Sequence, residues 1–402
     1  RSTTSNYFLN MQMQLNYNRT FNSRHYVTGM VLFQRDLREV ASGDIPYNMV
    51  GLSARGTYAF DSRYLAEVNI GYNGTEQFAP SNRFGFFPAF SLGWVISNES
   101  FMDNLRNNGI ISNLKLRASV GKVGNDGLGS TRFLYLDNID LQYHTSHIPS
   151  LGNGGKIYER MVGNKNIHWE VAWKQNYAVD LTLFDDLDLT FDYFIEDRSD
   201  ILIERNTVPA ISGLTSSQLP RVNMGEIKNK GYEITLDYNT DITRDLNINF
   251  GGNFSYARNK VISADEAVLS SDYAYRYRET GFSLGQNWGY IIDHTVDPEH
   301  GKDGSGFFNS KEDVINSGLT YETGGGIPQP GDFIYKDLNG DHIINEKDMA
   351  PIKYSSLVPR ISYGFHIGAS YKGFDFSVMF QGVGQYSKYY SGRGIFEEEG
   401  SK

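Results

Sequence analysis

The sequence predicts an all-β fold: a transmembrane antiparallel β-barrel to which this chain contributes about twelve strands. Three observations lead there. The first is a period of two in the polarity. In "YFLNMQMQLNYN", Tyr7, Leu9, Met11, Met13, Leu15 and Tyr17 alternate with Asn10, Gln12, Gln14, Asn16 and Asn18, and Phe8 is the one exception. Such a segment is a strand with one greasy and one wet face. The second is an alternation of tight turns with long links, the plan of an outer-membrane barrel with short periplasmic turns and long extracellular loops. The third is a set of Tyr and Phe residues near strand ends, including Tyr17, Tyr58, Tyr72, Tyr193, Tyr238 and Tyr256. Amphipathic rings favour the lipid–water boundary.

The pattern recurs down the chain. "HYVTGMVLF" at His25–Phe33 is its weakest instance. Leu52, Ala54, Gly56, Tyr58 and Phe60 alternate with Ser53, Arg55 and Thr57, and Tyr64, Ala66, Val68, Ile70 and Tyr72 with Glu67, Asn69 and Gly71. Phe90, Leu92, Trp94 and Ile96 follow, then Leu114, Leu116, Ala118 and Val120 against Lys115, Arg117 and Ser119. Tyr177 to Leu183, Leu187 to Ile195, Tyr232 to Tyr238 and Leu246 to Tyr256 repeat it, as do Ile361 to Tyr371 and Phe374 to Phe380. "AFDSRY", "FDDLD", "NTDITRDL" and "YKGFDF" are tight turns, whereas long links run over 123–168, 199–226 and 260–360. The connection 97–113 is longer than the other turns, and "ESFMDNLRNN" predicts a helix within it.

Bulk composition narrows the function classes. The 402 residues include no Cys, so disulfides and thiolate metal sites are excluded. A net charge of -10 argues against a nucleic-acid partner. No run approaches the ~18 apolar residues of a membrane helix. The negative mean hydropathy is compatible with a barrel, whose strands spend half their residues on the wet side. A soluble β-sandwich or propeller also alternates, but with shorter strands and without so regular an amide face.

The sharpest chemical motif is "DLNGDHIINEKD". Asp337, Asn339, Asp341, Asn345 and Asp348 place side-chain oxygens at positions 1, 3, 5, 9 and 12 of a calcium loop, and Ile343 offers a carbonyl at position 7. The last acid is Asp rather than Glu, as in dockerin-type loops, and position 6 is His342 in place of Gly. The expectation is a structural calcium ion bracing the long link 260–360 at its segment 337–348; the alternative is an acidic loop closed by its own turns. Tyr273, Tyr275, Tyr277, Trp288 and Tyr290 lie in the same link and are candidates for contact with substrate or partner, since aromatic faces stack on sugar rings. Loop packing is the commoner role of such residues. His144 and His147 lack a carboxylate at zincin spacing, the glycine groups follow no strand-to-helix phosphate pattern, and no triad stands out. No catalytic residue is assigned.

Several stretches carry a family likeness. "NRFGFFPAFSLGW", "LKLRASVGKVGN", "WEVAWKQNYAVDLTLF", "NMGEIKNKGYEI" (an N-x-G-x-x-x-N-x-G-x-E element), "PGDFIYKDLNGDHIINEKD" and "YGFHIGASYKGFDFSVMFQGVG" resemble the barrel of SusC/RagA-type TonB-dependent transporters of Bacteroidota. The likeness extends over nearly all of residues 1–402. It implies a barrel of about 22 strands, of which this chain is a segment completed by further strands or a second chain. It also implies an N-terminal plug outside this chain, coupled to TonB-ExbB-ExbD, and a SusD-like surface lipoprotein as lid. The implied activity is energised import of a glycan or peptide, with Asn10, Gln12, Gln14 and Asn69 on the lumen wall. A passive porin, an adhesin or a surface hydrolase is the alternative for a barrel in this membrane.

Overall fold

The computed structural model describes residues 6–39, 46–128, 131–143, 156–205, 207–208, 211, 213–215, 218–266, 275, 278–322 and 326–388. They fall into two compact units, Arg1–Asp265 with Ser362–Gly382, and Glu266–Ile361 with Val383–Lys402.

The first unit is a sheet. In chain order its strands are β1 (Tyr7–Phe21), β2 (His25–Glu39), β3 (Tyr47–Phe60), β4 (Tyr64–Thr75), β5 (Phe84–Val95) and β6 (Ile111–Asn125). A side hairpin follows, β7 (Asn138–Tyr143) and β8 (Lys156–Met161), then β9 (Glu170–Leu183), β10 (Leu187–Ile203), β11 (Val222–Thr243) and β12 (Leu246–Ser263). After six short strands that belong to the second unit, β19 (Ile361–Tyr371) and β20 (Phe374–Gly384) return to the sheet. The twelve strands order as β1-β2-β3-β4-β5-β6-β9-β10-β11-β12-β19-β20, with β1 and β20 at the two ends, so the sheet does not close on itself. The helix expected in the β5–β6 connection is α1 (Asp103–Asn107), entered through two 3-10 turns.

Local chemistry explains the hairpins. Asn22 and Ser23, Asp61 and Ser62, Phe184 and Asp185, and Lys372 and Gly373 form consecutive pairs with φ between 47° and 87°. Two successive left-handed residues give a turn whose twist matches that of the flanking strands. Register then fixes the faces. Met13, Phe33, Leu52, Tyr72 and Phe86 lie opposite one another across β1 to β5, and one residue away Gln12, Gln34, Gly51, Asn73 and Gly85 do the same. A slip of one residue would exchange the two faces. The apolar row is exposed throughout, from 38% at Phe33 to 70% at Met13. An apolar surface this continuous is not left to water.

The N-x-G-x-x-x-N-x-G-x-E element acquires a structural meaning. Asn223 Nδ2 donates to the carbonyls of His168 (2.9 Å) and Asp200 (2.7 Å), and its Oδ1 accepts from the His168 N–H (3.1 Å). It therefore ties the start of β11 to the link before β9 and to the far end of β10. A Cβ on Gly231 would sit 2.2 Å from the Tyr256 carbonyl oxygen, so only glycine lets β11 and β12 approach there. At the end of the sheet away from the hairpin turns, Phe78, Leu128, Leu134, Ile167 and Trp169 form a buried core built from the links. Trp169 packs 5.6 Å from Phe78 and 5.1 Å from Phe87, ring centre to centre, and donates its indole N–H to the Arg83 carbonyl at 2.9 Å.

The second unit has a core of its own: Phe308, Val314, Leu319, Ile334 and Ile344, with Tyr290, Tyr321 and Tyr335 packed against it. Its strands are β13 (Gln286–Gly289), β14 (Val296–Asp297), β15 (Lys302–Asp303), β16 (Thr320–Tyr321), β17 (Ile343–Ile344) and β18 (Ala350–Ser355), paired β13-β18, β14-β15 and β16-β17. Helix α2 (Lys311–Ser317) starts with a capping box, Ser310 Oγ accepting from the Asp313 N–H while the Asp313 carboxylate accepts from Ser310, and ends at Gly318 with φ 65°.

Candidate functional site

The polar face of the sheet is the first candidate, because hydrogen bonds organise it across strands. Asn10 and Gln34 both donate to Asp36, and Gln14 donates to Asn16 at 2.8 Å. Arg55 pairs with Glu67 at 2.7 Å, and Asn69 donates to the same carboxylate at 2.6 Å. Arg117 grips Asp180 with two bonds of 2.8 Å and reaches Asp192 at 3.6 Å. Ser255 donates to Glu233 at 3.2 Å. Asn10, Gln12, Gln14 and Asn69 thus all fall on this face, as the alternation predicts. A concavity of about 650 Å³ opens along it, lined by Thr57, Glu67, Asn69, Ser91, Lys115 and Arg117 among others. The Arg117 bridge over β6, β9 and β10 escaped sequence reading, since its partners lie 63 and 75 residues away (117 to 180 and to 192) and only register brings them together.

The second candidate is the 266–361 unit. Trp288 sits in β13 and meets Phe282 edge-on at 5.0 Å, while Tyr290 packs on Tyr335 at 5.1 Å against the core. Tyr275 is exposed; Tyr273 and Tyr277 lie outside the described residues. Burial pushes the Tyr321 hydroxyl up to about 12, and that hydroxyl donates to the Phe333 carbonyl.

The loop 337–348 turns as its sequence suggests, with Gly340 at φ 79° and His342 at φ 59°. Asp337 accepts the N–H groups of Gly340 (2.7 Å) and His342 (2.9 Å), and Asp348, fully buried, accepts those of Leu338 (2.8 Å) and Asn345 (2.9 Å). Asp341 accepts from Ile343 at 2.8 Å and from the Asn339 amide at 2.8 Å. These bonds close the loop by themselves, and no cluster of three or more His, Asp or Glu arranged for a metal occurs among the described residues. A carboxylate oxygen has two lone pairs, so each retains one for a hard cation.

One paired carboxylate in this unit is well buried. Asp293 is 5% exposed; its carboxylate lies 2.8 Å from Lys302 Nζ and accepts the Thr295 N–H at 3.1 Å. Burial works to raise its pKa, but the bonds from Lys302 and Thr295 outweigh it and hold the carboxyl below its ordinary range. The pair therefore contributes stability above that range and loses it as pH falls through the lowered value. Hydrogen exchange of 286–304 should show protection falling only in strong acid. Asp293→Asn should remove on the order of 1–3 kcal/mol at neutral pH and flatten that acid dependence.

Comparisons with known proteins agree with this architecture. The chain is 28% identical to TonB-dependent receptor P39 of Formosa agariphila over 91% of its own length and 38% of the receptor's. It is 25% identical to TonB-dependent receptor SusC of Bacteroides thetaiotaomicron, over 85% of this chain and 32% of that one. It thus spans about a third of these relatives. Among solved structures, the RagAB peptide transporter superposes with a TM-score of 0.70 at 18% identity, covering 94% of this chain and 41% of that one. The family model "TonB dependent receptor-like, beta-barrel" matches residues 1–395; the chain belongs to that family and is part of an outer-membrane β-barrel.

Proposed function

We propose that this chain forms a section of the wall of a TonB-dependent importer, carrying a peptide or oligosaccharide across the outer membrane together with a SusD-like surface lipoprotein. The observation that carries the reading is the two-faced sheet: an exposed apolar face in unbroken register, backed by a hydrogen-bonded polar face suited to a wet lumen. Family membership supplies the energy coupling, through a plug and TonB-ExbB-ExbD. The likeness to SusC and to a RagAB peptide transporter favours an oligomeric nutrient over a siderophore. The long links and the 266–361 unit face the cell exterior, and no catalytic role is assigned. The test is uptake of labelled oligopeptides and oligosaccharides by cells carrying the complete polypeptide and its lipoprotein. Uptake should stop when the proton gradient is collapsed or TonB removed. Uptake that continued would make the protein a passive pore.

The loop 337–348 binds one calcium ion that stiffens the outer unit, with Asp337, Asn339, Asp341, Asn345 and Asp348 as side-chain donors and Ile343 as carbonyl donor. The order of oxygen donors supports this reading. Calcium at about a hundred times its dissociation constant should stabilise the unit by roughly 2.7 kcal/mol. Asp341→Ala should abolish that gain, and a melting curve indifferent to calcium would leave the loop closed by its own hydrogen bonds.

A further inference from the structure

The outward face carries a charge arrangement that a membrane-facing sheet does not need. Tyr177, Tyr193, Tyr232 and Tyr256 lie opposite one another across β9, β10, β11 and β12. They share a face with Phe191, Ile234 and Phe254, so they form a girdle at one edge of the apolar band. Moving away from the hairpin turns on that same face, Lys230 stands opposite Arg258, and Lys228 opposite Lys260. All four side chains are exposed.

Like charges directly opposite each other destabilise a sheet. Here four of them form a two-by-two block in a chain whose net charge is -10, so average composition does not produce it. Local anions offset only one of the four charges. Asp197 lies 3.4 Å from Lys228 Nζ, but among the described residues no carboxylate is within salt-bridge distance of Lys230, Arg258 or Lys260. Glu226, the next outward residue of β11, has Ser263 across from it.

We propose that Lys228, Lys230, Arg258 and Lys260 bind the phosphate groups of a glycolipid in the outer leaflet of the membrane. The assignment rests on the reading that the long links face outside. The position selects the occupant. A soluble partner reaches the loop tips, whereas the flank of a barrel one step beyond its aromatic girdle meets lipid headgroups. Long aliphatic stems let Lys and Arg lie along the apolar band with their charges at headgroup level, where clustered cations recruit anionic lipid. The cross-strand spacing of the block presents several donors to one phosphate.

The complete polypeptide, purified in non-ionic detergent, is titrated with a phosphorylated lipid A-type glycolipid, its dephosphorylated form and inorganic phosphate, and bound lipid is read by native mass spectrometry. The phosphorylated lipid should bind at least about ten-fold more tightly than the dephosphorylated one, with an affinity that falls as salt rises. K228Q/K230Q/R258Q/K260Q should remove that preference, and the charge-conserving K228R/K230R/R258K/K260R should keep it. Equal binding of both lipids, unchanged binding by the Gln variant, or equally tight binding of inorganic phosphate would overturn the proposal. The wild-type salt dependence decides the matter if the Gln variant misfolds. Protease cleavage of the long links on intact cells checks orientation separately, and uptake does not enter the readout, so loss of the transport reading leaves this test standing.

Discussion

Ile234→Arg destabilises the membrane-embedded protein by about 1–3 kcal/mol, whereas Thr235→Arg, one residue further on, changes stability little. Ile234 lies between Phe191 and Phe254 in the outward apolar rows, one step inside the tyrosine girdle, while Thr235 faces the opposite way, between Thr190 and Asn253. An arginine at the first position must leave its charge in hydrocarbon or bend towards the boundary. At the second it enters a wet, hydrogen-bonded surface where solvation costs little. Urea unfolding of the full-length polypeptide refolded into lipid vesicles, followed by tryptophan fluorescence, measures both. Equal losses at the two positions would mean that the faces are wrongly assigned and that the apolar rows are buried against protein.

Trp169→Ala removes about 3–5 kcal/mol from the link-built core at the end of the sheet away from the turns. The indole fills a space bounded by Phe78, Phe87, Leu128, Leu134 and Ile167, all but the last held by segments distant in sequence. Truncation leaves a cavity and strips the Arg83 carbonyl of its donor. Residues 76–83, 126–128, 131–134 and 163–169 should then exchange amide hydrogens faster, while β1 and β2 exchange as before. Trp169→Phe, which retains most of the packing and lacks the N–H, should cost much less. A uniform loss of protection would show instead that the core is coupled to the whole sheet.

Much of this was legible in the sequence because a strand writes its environment every second residue. Met13, Leu52, Tyr72 and Leu92 could be placed on apolar faces, and Gln12 and Asn69 on polar ones, before any pairing was known. The turn at Asp61 and Ser62 was an equally local matter and follows expectation, and His342 takes the left-handed backbone of the position that glycine usually fills. The candidate site was less legible. Two of its five aromatic residues, Trp288 and Tyr290, proved to be packed within their own unit. The link 260–360 read as irregular because its core residues, Phe308, Leu319, Ile334 and Ile344, follow neither a two- nor a four-residue period.

By itself, then, the sequence determined which side of each ribbon is oily, where the hairpins close and the class of barrel they build, for these depend on neighbours one or two residues away. Tertiary structure alone decided which strands stand side by side, and with that the Arg117 bridge, the Asn223 clamp, the Trp169 core and the facing cations of β11 and β12. Each of those needs groups brought from different strands or links into one register, and a distance across strands is written in no single segment of the chain.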